Sequence, residues 1–211
     1  MAGQLYVLSG PSGTGKSVII RELRKKVAGL DYCVSHTTRK PRNNETNGAD
    51  YHFVDMETFK AMIQRGDFIE WAQVYDDYYG TSVSELEGKI EQGHDVIMDI
   101  DVQGARNIRK RYRQSTLIYV LPPSMETLEK RLKERATDPQ EVIKRRIEKA
   151  LSEIGNCRWY DYIVFNEDLD AAVEEAKSII VSKRCRTPSR LSMVEKRLGV
   201  KLTRNNFPGS K

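Results

Sequence analysis

The chain has 211 residues, enough for one domain that buries its own hydrophobic core. Its 39% hydrophobic and 31% charged residues are typical of a soluble globular protein and exclude a disordered or membrane-spanning chain. Residues 182–211 hold nine Lys or Arg and one Glu and carry a net charge of +8, whereas residues 1–181 carry −3, which gives +5 for the chain. The basic charge is confined to the tail and therefore does not indicate nucleic acid as a partner of the domain.

The sequence lacks the features of a secreted or membrane protein. Its first residues, MAGQLYVL, have neither the basic start nor the long apolar run of a signal peptide. Cys33, Cys157 and Cys185 have no metal-like spacing and are expected to be reduced thiols. We therefore expect a cytoplasmic protein that has no membrane partner.

The first predicted strand, residues 5–8, runs directly into a glycine-rich turn, GPSGTGKS. Gly10, Gly15, Lys16 and Ser17 satisfy the pattern G-x-x-x-x-G-K-S/T. Such glycines let successive backbone N–H groups point inward as a nest for phosphate oxygens, while the lysine adds charge and the serine can ligate Mg²⁺. A chance lysine in an ordinary turn is the alternative, but apolar residues at helical spacing follow, as a phosphate site requires. The predicted nucleotide-binding loop comprises Gly10, Pro11, Ser12, Gly13, Thr14, Gly15, Lys16 and Ser17.

A polar segment after the first helix carries two arginines. Residues 32–35 are predicted as a second strand, and the stretch SHTTRKPR places Arg39 and Arg42 beside hydroxyl groups. Arginine binds phosphate through paired hydrogen bonds, which suits a second anionic substrate. Surface loops often carry arginines, so this motif alone does not decide its function.

Residues 38–91 do not alternate strand and helix as the rest of the chain does. They are predicted to hold helices at 56–64 and 84–92 and a strand at 67–74, and we interpret them as an inserted subdomain. The strand contains one acid, Glu70, among apolar residues, where a buried carboxylate needs hydrogen-bond donors. A ligand that offers N–H groups would supply them, and so would a hydrogen bond within the core.

Two acids stand at the end of the next predicted strand, residues 94–101. Their spacing in MDID puts Asp99 and Asp101 on one face, at the carboxyl end where an open α/β sheet binds its ligand. An acid there, beside a phosphate loop, commonly holds Mg²⁺ directly or through water. Alternatively, Asp101 merely caps the next helix. With the phosphate loop present, the functional interpretation is favoured.

The second half of the chain alternates regularly between helix and strand. The predicted elements are helix 102–112, strand 116–121, helix 125–135, a helix ending near 154, strand 162–165 and an amphipathic helix over 169–180. This alternation predicts an α/β fold of three layers around a parallel central sheet. Arg131 and Arg135, four residues apart, form a solvated helix face unless a phosphate site lies opposite them.

The basic tail is expected to form one short helix. Ser192 and Glu195 have the spacing of a capping box, and Gly199 suits a helix end. We expect the tail to be dispensable for catalysis.

Eight motifs, taken in order, resemble those of the guanylate kinase family. They are GPSGTGKS, SHTTRKPR, NGADYHFV, FIEWAQV, YYGTS, MDIDVQGAR, LPPS and RLKER. The resemblance runs from about residue 5 to 181 and implies a P-loop kinase fold with a parallel central sheet, a GMP-binding subdomain and a mobile lid. The implied division is a domain at 1–181, with core 1–37 and 93–181, subdomain 38–92 and lid 131–146, and a tail at 182–211.

The resemblance also implies roles for individual residues. The residues expected to bind GMP are Arg39, Arg42, Tyr51 and Tyr79 at its phosphate and Ser35, Glu70, Thr81 and Asp101 at guanine. ATP is expected at the glycine-rich loop, Arg131, Arg135 and, near adenine, Asn166. The implied catalytic residues are Lys16, Arg39, Asp99, Arg135 and Arg146, and the implied metal ligands are Ser17 and Asp99, directly or through water.

The implied activity is Mg²⁺-dependent transfer of a phosphoryl group from ATP to GMP, giving ADP and GDP, in purine nucleotide metabolism. dGMP is expected as a further acceptor. The accepting oxygen belongs to an ionised phosphate, so no general base is required. The alternative is a non-catalytic guanylate-kinase-like module that binds proteins through the former GMP site. The intact Gly15, Lys16, Ser17 and Asp99 argue against it.

Overall fold

The computed structural model describes residues 3–42, 45–74, 76–134 and 140–202, with the backbone alone for 140–142. Its strands are β1 (Leu5–Ser9), β2 (Leu30–Tyr32), β3 (His36–Thr37), β4 (His52–Phe53), β5 (Phe68–Val74), β6 (Asp77–Ser82), β7 (Asp95–Asp99), β8 (Thr116–Leu121) and β9 (Tyr162–Phe165). Its helices are α1 (Lys16–Lys26), α2 (Met56–Arg65), α3 (Val83–Glu91), α4 (Val102–Arg111), α5 (Met125–Lys133), α6 (Gln140–Ile154), α7 (Leu169–Arg184) and α8 (Thr187–Leu198), with a 3₁₀ turn at Gly155–Trp159. Over these residues, no helix has the length and apolar character that crossing a membrane requires.

Five parallel strands form the central sheet, in the order β2-β7-β1-β8-β9. Successive side chains of the central strand β1 point to opposite faces. Tyr6 and Leu8 pack with α1 and α7, whereas Leu5 and Val7 pack with α3 and α4. Helices therefore cover both faces, which explains why the strands are apolar throughout. The predicted three-layer α/β fold with a parallel central sheet is confirmed.

The inserted region forms a second sheet, in the order β4-β3-β6-β5. β5 and β6 run antiparallel, with Phe68 opposite Ser82. Phe59 of α2 stacks on Phe68, their ring centroids 4.5 Å apart. Ile69 of β5 belongs to the core beneath α4. The second sheet is thus anchored to the central one by apolar packing against α4.

The second strand ends earlier than predicted. β2 covers Leu30–Tyr32 rather than residues 32–35, because the chain leaves the central sheet just after it. The Cys33 N–H still donates to the Ile97 carbonyl at 3.0 Å, but the Val34 N–H donates to Glu85 Oε1 at 3.1 Å. β3, β4 and β6 are not predicted from the sequence, because they are short or contain acids and glycine and depend on pairing with one another and β5.

The last helices also differ from the prediction. α5 ends at Lys133, and residues 135–139 lie outside the described part of the chain. The predicted capping box is wrong, because α8 begins at Thr187 and Ser192 lies inside it. The predicted end is confirmed, since Gly199 terminates α8 with a φ of 65°.

The end of α7 is tied to the central sheet by a buried carboxylate. Arg184 Nε donates to Asp95 Oδ2 at 2.7 Å, and Arg184 Nη1 donates to the Ala28 carbonyl at 3.0 Å. Asp95 Oδ1 accepts the Gln4 N–H at 2.7 Å, so Asp95 joins the start of β7 to both ends of the domain. α8 is joined to the rest of the domain by a 3.3 Å hydrogen bond from the Gln4 side chain to Ser189 and by a 2.9 Å hydrogen bond from Arg190 Nε to the Arg184 carbonyl.

We predict that a chain ended after Arg186 melts close to the full chain, whereas one ended after Lys183 melts lower. The shorter chain lacks Arg184 and leaves Asp95 buried with fewer donors, at a cost of about 1–3 kcal/mol. For a domain of this size each kcal/mol lowers the melting temperature by about 2–4 °C. Thermal melting of the three chains measures this, and equal melting of the two shortened chains would contradict the role given to Arg184.

Candidate active site

The glycine-rich loop lies at the carboxyl end of β1 and leads into α1. Gly10 has a φ of 136°, and an added Cβ there would lie 2.3 Å from the Val120 carbonyl oxygen, so only glycine fits. α1 then begins at Lys16. The first N–H groups of a helix lack partners within the helix and attract anions. The loop is therefore built to receive phosphate oxygens.

Lys16 lies across this loop. Its Nζ donates to the carbonyl oxygens of Gly10 at 2.9 Å and Pro11 at 3.2 Å, and it lies 3.8 Å from Asp99 Oδ1. The Thr14 hydroxyl donates to the same Pro11 carbonyl at 3.0 Å. The ammonium group is thus held at the loop, where it can meet a bound phosphate.

Asp99 and Ser17 form a hydrogen-bonded pair beside the loop whose oxygen atoms could hold a metal ion. Asp99 ends β7 and stands opposite Leu8 of β1 in the parallel register. Its Oδ2 accepts the Ser17 hydroxyl at 2.8 Å. Among the described residues, no group of three or more His, Cys, Asp or Glu could hold a metal alone. Mg²⁺, however, is usually held by one or two protein oxygens together with substrate phosphates and water, and this pair fits that pattern.

A second cationic group, the arginine clamp, consists of Arg39, Arg42 and Glu45. Arg39 Nη2 donates to both carboxylate oxygens of Glu45, at 2.8 and 2.9 Å, and the Arg42 N–H donates to Glu45 Oε2 at 2.8 Å. Burial pushes the pKa of Glu45 upward, but the hydrogen bonds from Arg39 and Arg42 bring it below its ordinary value. Glu45 is therefore an anion that fixes the two arginines relative to each other.

Two tyrosines enclose the arginine clamp. The Arg39 guanidinium lies 5.5 Å from the ring centroid of Tyr51, and the rings of Tyr51 and Tyr79 meet edge to face at 5.9 Å. Burial raises the pKa of the Tyr51 hydroxyl, and the negative charge of Asp99 raises it further. Asp99, beside the glycine-rich loop, is thus near enough to the clamp for its charge to act on Tyr51. The glycine-rich loop and the clamp are two separate cationic groups, each suited to one anion.

A buried acid lies on β5, the strand that pairs with the one carrying Tyr79. Glu70 is 6% exposed, and its Oε1 accepts the Thr81 hydroxyl at 2.7 Å, which in turn lies 3.3 Å from the Ser35 hydroxyl. Burial raises the pKa of Glu70 to about 7, the Thr81 hydrogen bond lowers it, and the charge of Asp101 raises it. Ser35, Glu70, Thr81 and Asp101, which we call the carboxylate cluster, offer acceptors for a ligand rich in N–H groups.

Asp101 also has the structural role that the sequence left open. Its Oδ1 accepts the Gly104 N–H at 2.8 Å and so caps the first turn of α4. The same turn approaches the carboxylate cluster closely, because an added Cβ on Gly104 would lie 2.6 Å from Glu70 Oε2. Capping by Asp101 thus positions the helix that closes one side of Glu70.

The predicted ATP-side residues beyond the loop are only partly described. Arg131 on α5 donates from Nη2 to the Asn166 carbonyl at 3.0 Å, and the Asn166 side chain donates to the Thr14 carbonyl at 2.7 Å. Arg146 on α6 has its Nε and Nη1 shielded from solvent. Arg135 lies outside the described residues.

Comparison with known proteins agrees with this geometry. The family model for guanylate kinase matches residues 2–183. The chain belongs to the guanylate kinase family. Curated guanylate kinases from Geobacter metallireducens and Geobacter sulfurreducens are 46% and 47% identical over 195 and 192 residues. These matches cover 92% and 91% of this chain and 96% and 95% of those proteins.

The fold comparison gives the same family. The crystal structure of guanylate kinase from Anaplasma phagocytophilum matches with a TM-score of 0.78 and 30% identity, covering 95% of this chain and 98% of that one. The resemblance drawn from the sequence motifs is confirmed. The chain is therefore an enzyme of the P-loop kinase fold.

Two residues of the site are missed by the sequence analysis, Glu45 and Gly104. Glu45 follows Arg42 by three residues, a spacing that lets a carboxylate reach back to the loop arginines, so a local signal for it exists. Gly104 matters only because Glu70 of a distant strand lies against it. No pattern within α4 indicates that contact.

We predict that Gly104→Ala lowers the melting temperature and raises the KM for GMP at least tenfold, with the KM for ATP changed by less than about twofold. Alanine favours helices, but its Cβ would overlap the Glu70 carboxylate, and overpacking of this kind typically costs about 1–3 kcal/mol. Steady-state kinetics and thermal melting measure both effects.

Gly88→Ala is the matched control for this substitution. Gly88 lies within α3, and an added Cβ would meet nothing within 4 Å. This variant should be as stable as the parent or more so, with unchanged kinetics. If Gly104→Ala behaved like Gly88→Ala, the close approach of α4 to Glu70 would not matter for the site.

Proposed function

We propose that this chain transfers the γ-phosphoryl group of ATP to GMP and forms ADP and GDP. One observation carries the proposal: Lys16 is held at the glycine-rich loop, Arg39 is held in the arginine clamp, and the buried acid Glu70 lies on β5, which pairs with the strand that carries Tyr79. A site with two separate cationic groups suits two phosphorylated substrates. The family to which the chain belongs supports this reaction.

On the ATP side, the loop N–H groups and Lys16 bind the β- and γ-phosphates. Ser17 and Asp99 would hold Mg²⁺, which neutralises charge on the phosphate oxygens when it is bound. Arg131 and Arg135, which the resemblance assigns to the ATP side, would add positive charge at the ATP phosphates. The Ser17–Asp99 hydrogen bond of 2.8 Å already brings the two oxygen ligands together beside the loop.

On the acceptor side, the arginine clamp with Tyr51 and Tyr79 holds the phosphate of GMP. Guanine presents an N1–H and a 2-amino group side by side, two donors that match the two oxygens of the Glu70 carboxylate. The Ser35 hydroxyl can donate to O6, the Thr81 hydroxyl donates to Glu70 at 2.7 Å and so orients the carboxylate at guanine, and Asp101 adds a further acceptor. AMP lacks both donors, so it would leave Glu70 unpaired.

Phosphoryl transfer then requires alignment and charge neutralisation rather than acid–base chemistry. The attacking oxygen belongs to the ionised phosphate of GMP, and Lys16, Arg39, Arg135 and Arg146 stabilise the charge that spreads over the transferred group. A lid at 131–146, as the resemblance implies, would exclude water, which would otherwise accept the phosphoryl group.

The range of acceptor nucleotides and the cellular location of the enzyme follow from these contacts and substrates. The proposed contacts reach guanine and phosphate but not the 2′-hydroxyl, so dGMP is a further acceptor. Because the substrates are intracellular nucleotides, we place the enzyme in the cytoplasm, in purine nucleotide metabolism and the recycling of GMP. A purely protein-binding module has no need of Lys16 held at a phosphate loop and is not favoured.

The test is a coupled assay that compares GMP, dGMP, AMP and UMP as acceptors with ATP and Mg²⁺. We expect turnover with GMP and dGMP, and rates for AMP and UMP lower by at least about 10³-fold. Lys16→Ala is the control for the phosphate loop and should lose roughly a hundredfold or more in kcat, the typical cost of one charged stabiliser. Equal rates with AMP and GMP would contradict the proposal.

We predict that Glu70→Gln lowers kcat/KM for GMP at least tenfold, with little change in the KM for ATP. Glutamine keeps the shape but supplies one acceptor oxygen, and its NH₂ group would face a guanine donor. AMP should gain relative to GMP. If kcat/KM for GMP and the ratio of kcat/KM for GMP to that for AMP stayed unaltered, residues other than Glu70 would recognise guanine.

The pH dependence provides a second readout for Glu70. Its raised pKa of about 7 means that the guanine-binding carboxylate becomes neutral as the pH falls through 7. The kcat/KM for GMP should therefore decline below about pH 7. The phosphate of GMP also titrates in this range, but its effect is the same for the parent and for Glu70→Gln, which lacks only the titration of Glu70. The difference between the pH profiles of the parent and the variant therefore isolates the contribution of Glu70.

A further inference from the structure

Asn166 stands where the central sheet meets the glycine-rich loop. It directly follows β9, is 6% exposed, and its N–H donates to the Leu121 carbonyl at the end of β8 at 2.8 Å. Its backbone is therefore fixed by the two strands on the far side of β1. A side chain that starts from such a fixed point can position its neighbours.

The side-chain amide of Asn166 contacts the loop backbone directly. Its Nδ2 donates to the Thr14 carbonyl at 2.7 Å, and Thr14 is itself fully buried. An added Cβ on Gly15 would lie 2.3 Å from the same Nδ2, so the amide packs against the backbone just before α1. One hydrogen bond thus sets the orientation of the peptide between Thr14 and Gly15, next to Lys16.

The backbone carbonyl of Asn166 holds a second element of the site. It accepts Nη2 of Arg131 at 3.0 Å, from α5. Asn166 therefore joins three parts of the ATP side: the ends of β8 and β9, the peptide at Thr14, and the first lid arginine. Each contact uses a different group of the residue.

We infer that Asn166 is a positioning residue for the phosphate loop, rather than a residue that selects adenine. The inference rests on the proposed function, since it concerns how the chain binds ATP. A residue that positions the loop acts on phosphate binding, so its substitution should weaken the binding of every triphosphate alike. A residue that recognises the base should change the binding only of ligands that carry adenine.

The experiment uses the full chain with Asn166→Asp and Asn166→Ala, and inorganic tripolyphosphate as a ligand without a base. Tripolyphosphate is measured as a competitive inhibitor against ATP at saturating GMP. Aspartate would place an oxygen against the Thr14 carbonyl and repel it, whereas alanine removes the hydrogen bond without repulsion. We expect the KM for ATP and the Ki for tripolyphosphate to rise together, at least tenfold for Asn166→Asp and less for Asn166→Ala.

Asn156→Asp is the matched control. Asn156 Nδ2 also donates to a backbone carbonyl, but to that of Glu153 at 3.0 Å, from the 3₁₀ turn and not to the glycine-rich loop. This variant should leave both constants within about twofold of the parent. Thermal melting identifies any variant that does not fold, and Asn166→Ala decides the question if Asn166→Asp fails.

Two results would overturn the inference. One is a raised KM for ATP with an unchanged Ki for tripolyphosphate, which would assign Asn166 to adenine. The other is no change in either constant. If the parent chain did not phosphorylate GMP, the proposed function would fail separately. Direct binding of ATP and tripolyphosphate to parent and variant would then still test the role of Asn166.

Discussion

The parallel register of the central sheet is the constraint on which the site depends. Leu8 of β1 stands opposite Asp99 of β7, so the start of the glycine-rich loop and the strand-end acid reach the same edge. β8 and β9 pair from Ile118 to Leu121 in the same direction and deliver Asn166 to that edge as well. Parallel strands place all their carboxyl ends together, which is why Lys16, Asp99 and Asn166, from distant parts of the chain, meet at the glycine-rich loop.

The cations of the site have acceptors within the protein. Lys16 is held by loop carbonyls, Arg39 by Glu45 and Arg131 by the carbonyl of Asn166. These contacts reduce the side-chain entropy that substrate binding would otherwise cost and keep each charge near its working position. Electrostatic stabilisation in phosphoryl transfer depends on such groups being oriented before the charge develops. In the proposed reaction, the same few contacts would therefore serve both binding and catalysis.

Local patterns predict the parts of this site that local sequence determines. The phosphate loop and Asp99 follow from strand, glycine and helix spacing, and the parallel sheet follows from alternation. Glu45, Gly104 and β6 depend on contacts between segments far apart or on a loop conformation, and propensity alone does not indicate them. Asp101 shows that one sequence pattern can have two explanations, because an acid that caps a helix and an acid that belongs to a site have the same sequence signature. In the structure Asp101 caps α4.

The buried carboxylate of Glu70 lowers the stability of the folded chain at neutral pH. Its pKa is about 7 in the folded chain against 4.5 for an exposed glutamate, so the folded state binds the proton more tightly than the unfolded state does. Its contribution is most favourable below the unfolded pKa and is lost as the pH rises through about 7. At neutral pH and above, the carboxylate is therefore buried at a cost that Thr81 only partly offsets. A ligand with two adjacent N–H donors removes that cost when it binds, and one without them does not. Under the proposed function, the cost of burying the Glu70 carboxylate in the free protein is thus the physical source of a preference for guanine.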